Sequence, residues 1–183
     1  MDLIQNVASS SISGVEFELR ATLWEGGFLS ADWSRLKNEY DDYSYPDPSN
    51  PGEIVDLSNF QIFDYTPETT FNLAVDHQFE LSTGATLTPR LSAYWQSDFD
   101  WGLNGYDVEE GSPATSCNQE SYTKLNGRFT YTSADGGWNL AAYGENLTDE
   151  RILETCDFAR SVWRTRLERP RNFGVEFTMN FGA

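Results

Sequence analysis

The sequence predicts an all-β chain, about seven antiparallel strands forming the C-terminal portion of a large transmembrane barrel. Three observations predict it. Side chains alternate between apolar and polar with period two along several stretches. The connections alternate between tight glycine turns and long polar loops. No stretch approaches the roughly 18 to 20 continuous apolar residues that a spanning helix requires.

The strands follow in chain order. The first carries Val15, Phe17, Leu19, Ala21 and Leu23 on one face. A second is expected over 28–43, with alternation failing near Arg35, where the strand bulges or leaves the apolar zone. The third sets Phe71, Leu73, Val75, His77, Phe79 and Leu81 against Asn72, Ala74, Asp76, Gln78 and Glu80. The fourth sets Leu87, Pro89, Leu91, Ala93 and Trp95 against Thr86, Thr88, Arg90, Ser92 and Tyr94. Pro89 lacks a ladder donor, so a local bulge is expected there. Leu125, Phe129 and Tyr131 mark the fifth strand and 138–147 the sixth. The last is the clearest, with Phe173, Val175, Phe177, Met179 and Phe181 opposed by Asn172, Gly174, Glu176, Thr178 and Asn180.

Trp24-Glu25-Gly26-Gly27, Ser82-Thr83-Gly84 and Ala134-Asp135-Gly136-Gly137 suit hairpin turns. The other connections run approximately over 44–66, 99–119 and 149–167, and are rich in Asp, Ser, Asn, Pro and Gly. Short turns on the periplasmic side and long loops outside are the layout of an outer-membrane barrel. If the chain stops on the periplasmic side, all three glycine turns fall there.

The apolar set then faces lipid and the polar set a wet or plugged lumen, where Glu16, Glu18, Arg20, Glu80, Arg90, Lys124, Arg128 and Glu176 are tolerable. Tyr40, Tyr43, Tyr94, Trp95 and Trp138 fit interfacial girdles, or equally serve as ordinary β-surface aromatics.

Composition narrows the function. The 183 residues carry 29 acids against 12 bases, a formal charge of −17, which repels phosphate backbones and argues against nucleic acid. The opening Met1-Asp2-Leu3-Ile4-Gln5-Asn6 has neither a basic n-region nor an apolar h-region. Cys117 and Cys156 sit in polar, turn-rich segments, as a disulfide in an oxidising compartment or as two free thiols. The single histidine lies in the lipid-facing pattern, and no zinc spacing, P-loop or dinucleotide motif occurs. The expectation is a non-enzyme with no cofactor.

Four motifs, in order along nearly the whole chain, carry a resemblance. Asn146-Leu147-Thr148-Asp149, within Trp138 to Glu150, resembles the motif that precedes the last external loop of TonB-dependent outer-membrane receptors. Pro170-Arg171-Asn172-Phe173-Gly174 is similar to the opening of their final strand. Gly14-Val15-Glu16 and Thr66-Pro67-Glu68 are similar to strand entries further upstream. The resemblance implies a 22-stranded barrel filled by an N-terminal plug, importing scarce nutrients such as an iron–siderophore complex, cobalamin or an oligosaccharide. Implied partners are outer-membrane lipid, the rest of the barrel and plug, TonB through that plug, and the barrel-insertion machinery. Residues 1–183 would all be barrel, with plug and TonB box absent, and Met1 an internal methionine of a fragment or truncated gene. The ending departs from the pattern, since Phe181 is followed by Gly182 and Ala183 rather than closing on an aromatic residue.

The first two long loops, 41–68 and 97–120, contain no Lys or Arg, whereas the last holds Arg151, Arg160, Arg164 and Arg166 beside Glu150, Glu154 and Asp157. The second loop is therefore expected to fold over the third, held by Arg–carboxylate pairs and a Cys117–Cys156 disulfide. The acidic loops read as a solvated surface or a divalent-cation site, without EF-hand spacing. Two alternatives predict different structures. A soluble secreted β-sandwich that binds carbohydrate buries one face of each sheet. A small structural outer-membrane barrel needs an eighth strand, and residues 2–10 show no alternation.

Overall fold

Every regular element among the described residues is a strand. The computed structural model describes residues 8–46, 52–56, 58, 66–100, 106–107, 112–113, 118–159 and 162–181. Seven long strands lie side by side in chain order: β1 Ala8–Trp24, β2 Gly27–Pro46, β3 Thr69–His77, β4 Thr86–Gln96, β5 Tyr122–Thr132, β6 Trp138–Glu145 and β7 Asn172–Met179. Each pairs antiparallel with the next. The meander is a single layer with β1 and β7 at its edges.

Register explains why one side is oily. Leu29 pairs with Val75, Val75 with Leu91, Leu91 with Gly127, and Gly127 with Gly144, which pairs with Phe173. A lower row joins Leu87, Tyr131, Leu140 and Phe177, and an upper row joins Phe17, Trp33, Phe71 and Trp95. Because directly paired residues share a face, the seven apolar stripes merge into one wall. Nothing among the described residues covers it: Leu91 is 52% exposed, Phe129 59% and Val175 74%. Ala141 and Ala85 are the nearest to full burial among the hydrophobic residues described. A sandwich of this length would bury large side chains between two sheets, so the single sheet with a bare apolar face sets the sandwich alternative aside.

The wall has the height of a bilayer. Leu87 and Trp95 stand eight positions apart on β4, about 27 Å of strand at about 3.4 Å per residue. A tilt of about 40° shortens this to about 21 Å, close to the apolar band of about 25 Å on outer-membrane barrels. Aromatic rings mark both limits. The upper row is aromatic on four adjacent strands. Near the short turns, Tyr131, Trp138 and Phe177 form a chain of ring contacts with centroids 5.2 and 5.9 Å apart. Trp24 lies over Gly27 and donates from Nε1 to Nδ1 of His77, 2.7 Å away. Trp95 and Trp138 thus occupy the expected girdles. Tyr94 does not: it sits in the opposite row, beside Lys124 and bonded to Gln96.

Loop parity is as expected. The short turns place Gly26, Gly84 and Gly136 at positive φ, where a side chain would be strained. The long connections hold strands of their own: Ile54–Asp56 pairs onto β2, Leu153–Ala159 pairs with Val162–Leu167, and Phe99–Asp100 pairs with Asn118–Gln119. Near Arg35 the strand leaves the apolar zone and does not bulge. Pairing with β3 stops at Arg35–Thr69, while β2 runs on against β1 as far as Tyr43, about 27 Å beyond that point, and then to Pro46 against Ile54–Asp56. The bulges lie elsewhere, between Ser9 and Ser10 and between Thr22 and Trp24.

Pro89 causes no bulge either. The β3–β4 ladder lapses between Asp76–Arg90 and Phe79–Leu87 and resumes in the same register, while the β4–β5 ladder runs through Phe129–Pro89 unbroken. The missing donor therefore costs one local gap on the β3 side.

Candidate functional site

The chemistry of the chain lies on the polar face of the sheet and at the root of its last long loop. On the polar face, charged residues stand where period two puts them, and four of the bases are held in ion pairs. Arg20 pairs with Asp32 at 2.6 Å, Arg90 with Asp76 at 3.3 Å, Arg128 with Glu176 at 2.7 Å, and Lys124 with Glu168 at 2.7 Å. The third pair spans β6. Ala141, which pairs with Glu176, is fully buried, and Tyr143 lies beneath the Arg128 guanidinium at 5.9 Å. Gly174 makes room for Tyr143, because a Cβ there would come within 2.4 Å of its ring. Gly174 thus belongs to the seating of Arg128 as well as to the strand's sequence motif.

Towards the long loops the same face becomes neutral and more buried. Tyr94 and Tyr122 both donate to Oε1 of Gln96, at 2.9 and 3.1 Å. Gln96 is only 5% exposed, and its Nε2 has no partner among the described residues. Single-sequence alternation gave no signal for this cluster, since Gln96 and Tyr122 fall at strand ends.

Asn146, Leu147, Thr148 and Asp149 end β6 and join the last loop to three other segments. Asn146 is 2% exposed and sits at φ 50°. Its Nδ2 donates to the carbonyls of Glu150 and Arg169, at 3.0 and 3.4 Å, and its Oδ1 accepts from Glu150 N at 3.0 Å. Its own backbone N donates to Asn126 Oδ1 at 2.9 Å. Leu147 N and the Thr148 hydroxyl reach the carbonyls of Leu125 and Thr123, at 2.8 and 2.7 Å. Asp149, at φ 60°, accepts from Arg171 N at 3.1 Å and pairs with its guanidinium at 3.5 Å. Leu147 meanwhile covers Gly127 and Gly144 on the apolar side, where Phe173 also packs over Gly144. Two motifs that stand more than twenty residues apart in the sequence are therefore halves of one clasp. Pro170 precedes Arg171 and ends the loop just before β7.

Above the clasp the hairpin Leu153–Ala159/Val162–Leu167 meets the preceding loop. Leu153 N donates to Gln119 Oε1 at 2.7 Å, and Phe99 packs against buried Cys156. Arg166 pairs with Glu154 at 2.9 Å within the hairpin itself. Cys156 is disulfide-bonded. Cys117 lies outside the described residues, as do Asp47, Asp64, Glu109, Glu110 and Arg160 of the loops.

Two loop carboxylates sit below their ordinary pKa. Hydrogen bonds from the Ser58 hydroxyl and backbone N–H lower Asp56, and those from the Ser133 hydroxyl and Gly137 N–H lower Asp135 in the β5–β6 turn.

Comparison with known proteins agrees with this architecture. Residues 2–147 match the family described as TonB dependent receptor-like, beta-barrel. No curated protein matches the sequence. Among solved structures, the ferric yersiniabactin uptake receptor FyuA from Yersinia pestis is similar, with a TM-score of 0.72 at 18% identity, over 97% of this chain and 24% of that one. At that identity the likeness concerns the fold, and the chain spans about a quarter of that structure. A bare apolar wall of bilayer height, a charged opposite face, loops sorted by side and a family match over most of the sequence lead to one conclusion: the chain belongs to the TonB-dependent receptor-like β-barrel family of the bacterial outer membrane.

Proposed function

We propose that this chain forms the last seven strands of an outer-membrane receptor that imports a scarce nutrient, such as an iron–siderophore complex, cobalamin or an oligosaccharide, with energy delivered by TonB. The observation that carries the reading is the unbroken register of apolar rows across all seven strands, with ion-paired charges directly behind them. Such a face survives only in a wet or filled lumen. The remaining strands and a plug complete the barrel, TonB acts through the plug, and the insertion machinery receives the β7 end. In this reading the chain contributes wall and loops to transport and carries out no catalysis.

The extracellular surface is built around the clasp at Asn146, with a Cys117–Cys156 disulfide joining the second long loop to the third. The Gln119–Leu153 hydrogen bond and the packing of Phe99 on Cys156 support that pairing. Uptake of labelled ferric siderophores, cobalamin and oligosaccharides tests the function in cells with and without the intact gene, each with TonB active or absent. Accumulation of one ligand class that requires both the gene and TonB is expected. Uptake that ignores TonB would reject the assignment.

A further inference from the structure

Arg90 and Arg128 are direct cross-strand partners on the polar face. Like charges placed opposite each other in a sheet destabilise it, yet here both side chains are arginine. They lean apart, Arg90 toward Asp76 on β3 and Arg128 toward Glu176 on β7. A depression of about 340 Å³ opens between them, lined also by Ser92, Asn126 and Tyr143 and by two carboxylates, Glu145 and Glu176, the second already paired with Arg128. Neither guanidinium is spent. Among the described residues Arg90 uses only Nη1, leaving Nε and Nη2, and Arg128 uses Nη2 and Nε, leaving Nη1. Asn126 spends its oxygen on Asn146 N and keeps its amide hydrogens. Planar guanidinium forks match the oxygens of a carboxylate or phosphate, so the N–H groups that Asp76 and Glu176 leave unused can take one further oxyanion between the two arginines.

We propose that Arg90 and Arg128 form an oxyanion-binding site on the lumenal wall, taking a carboxylate or phosphate presented inside the barrel. The site rests on the lumenal reading of this face given above. The oxyanion arrives either on a small ligand in the lumen or on an acidic side chain of the polypeptide that fills it.

Phenylglyoxal modification of the intact, detergent-purified protein tests the site, with peptide mass mapping to read each arginine. Inorganic phosphate or acetate is added at constant ionic strength, balanced by chloride. Binding slows modification of Arg90 and Arg128 together, about tenfold at ten times the dissociation constant, while Arg20 keeps its rate. Arg128→Gln then removes the protection at Arg90, and Arg90→Gln removes it at Arg128. If a side-chain carboxylate already fills the site, both arginines are unreactive from the start while Arg20 reacts. Urea at a concentration that preserves the β-sheet circular dichroism then exposes them, and added phosphate or acetate protects them again. Two results overturn the proposal: Arg90 and Arg128 reacting at the Arg20 rate whatever the anion, or urea exposing them without restoring anion protection. Failure of the lumenal reading would look different, because lipid and not water would then shield Arg20 as well.

Discussion

Replacing Asn146 should loosen the root of the last loop without unfolding the sheet. The side chain makes two good hydrogen bonds to Glu150, and it is too buried for water to replace them. At about 1 kcal/mol each, their loss in Asn146→Ala costs about 2 kcal/mol. Alanine must also hold φ near 50°, a left-handed conformation that asparagine tolerates and that costs other residues about 1 kcal/mol more. The sum, about 3 kcal/mol, corresponds to about a 150-fold increase in local opening. Asn146→Gly removes the same bonds but relieves the backbone, so it should cost about 2 kcal/mol, about 30-fold. Amide hydrogen exchange at Leu147 and Asp149 is the proper readout, because their partners, Leu125 O and Asn146 O, survive both substitutions. Unchanged protection at these two amides in Asn146→Ala would refute the clasp. Equal effects of alanine and glycine would refute the backbone part of the estimate.

Other consequences can be checked separately. Leu91 stands midway between the aromatic rows, so Leu91→Arg should cost about 2–4 kcal/mol in lipid while Ser92→Arg on the opposite face costs little; folded yield in vesicles compares them. Gly174→Ala should push Tyr143 aside and release Arg128, costing about 1–3 kcal/mol by overpacking and lowering the temperature at which the protein loses its folded mobility on a detergent gel. Asp135 has a lowered pKa in the folded turn, so its stabilisation is complete above the unfolded carboxylate range and fades as pH falls through the lowered folded value. Protection of the Gly137 amide relative to its intrinsic exchange rate should therefore fall only in acid, and Asp135→Asn should abolish that pH dependence. Mass mapping of exported protein should recover Cys117 and Cys156 in one disulfide-linked peptide pair, and free thiols there would reject the proposed staple.

The spanning strands were legible in the sequence because a sheet wetted differently on its two sides imposes period two on every strand. Phe173 to Phe181 and Leu87 to Trp95 state that pattern without ambiguity. What escaped was structure without a lipid face. The extension of β1 and β2 into water, the hairpin around Cys156 and the short strand Ile54–Asp56 turn no face to lipid, so no alternation announces them. At Arg35 the sequence left a bulge and an exit from the apolar zone open, because it shows the charge but not that pairing with β3 has ended; at Pro89 the missing donor suggested a bulge, but the ladder lapses and resumes in register. The motif residues Asn146, Asp149 and Arg171 were visible as motifs only. Their joint role depends on β6 and β7 being neighbours, which brings the two ends of one loop together.

The account depends most on which face meets lipid, and spin labels placed singly at positions 87 to 96 of the intact protein in outer-membrane vesicles measure that directly. Oxygen accessibility should peak at the odd positions and a water-soluble nickel complex at the even ones, out of phase along the whole of β4. Labels that show no alternation, or nickel access at Leu91 equal to that at Ser92, would contradict the membrane-spanning assignment.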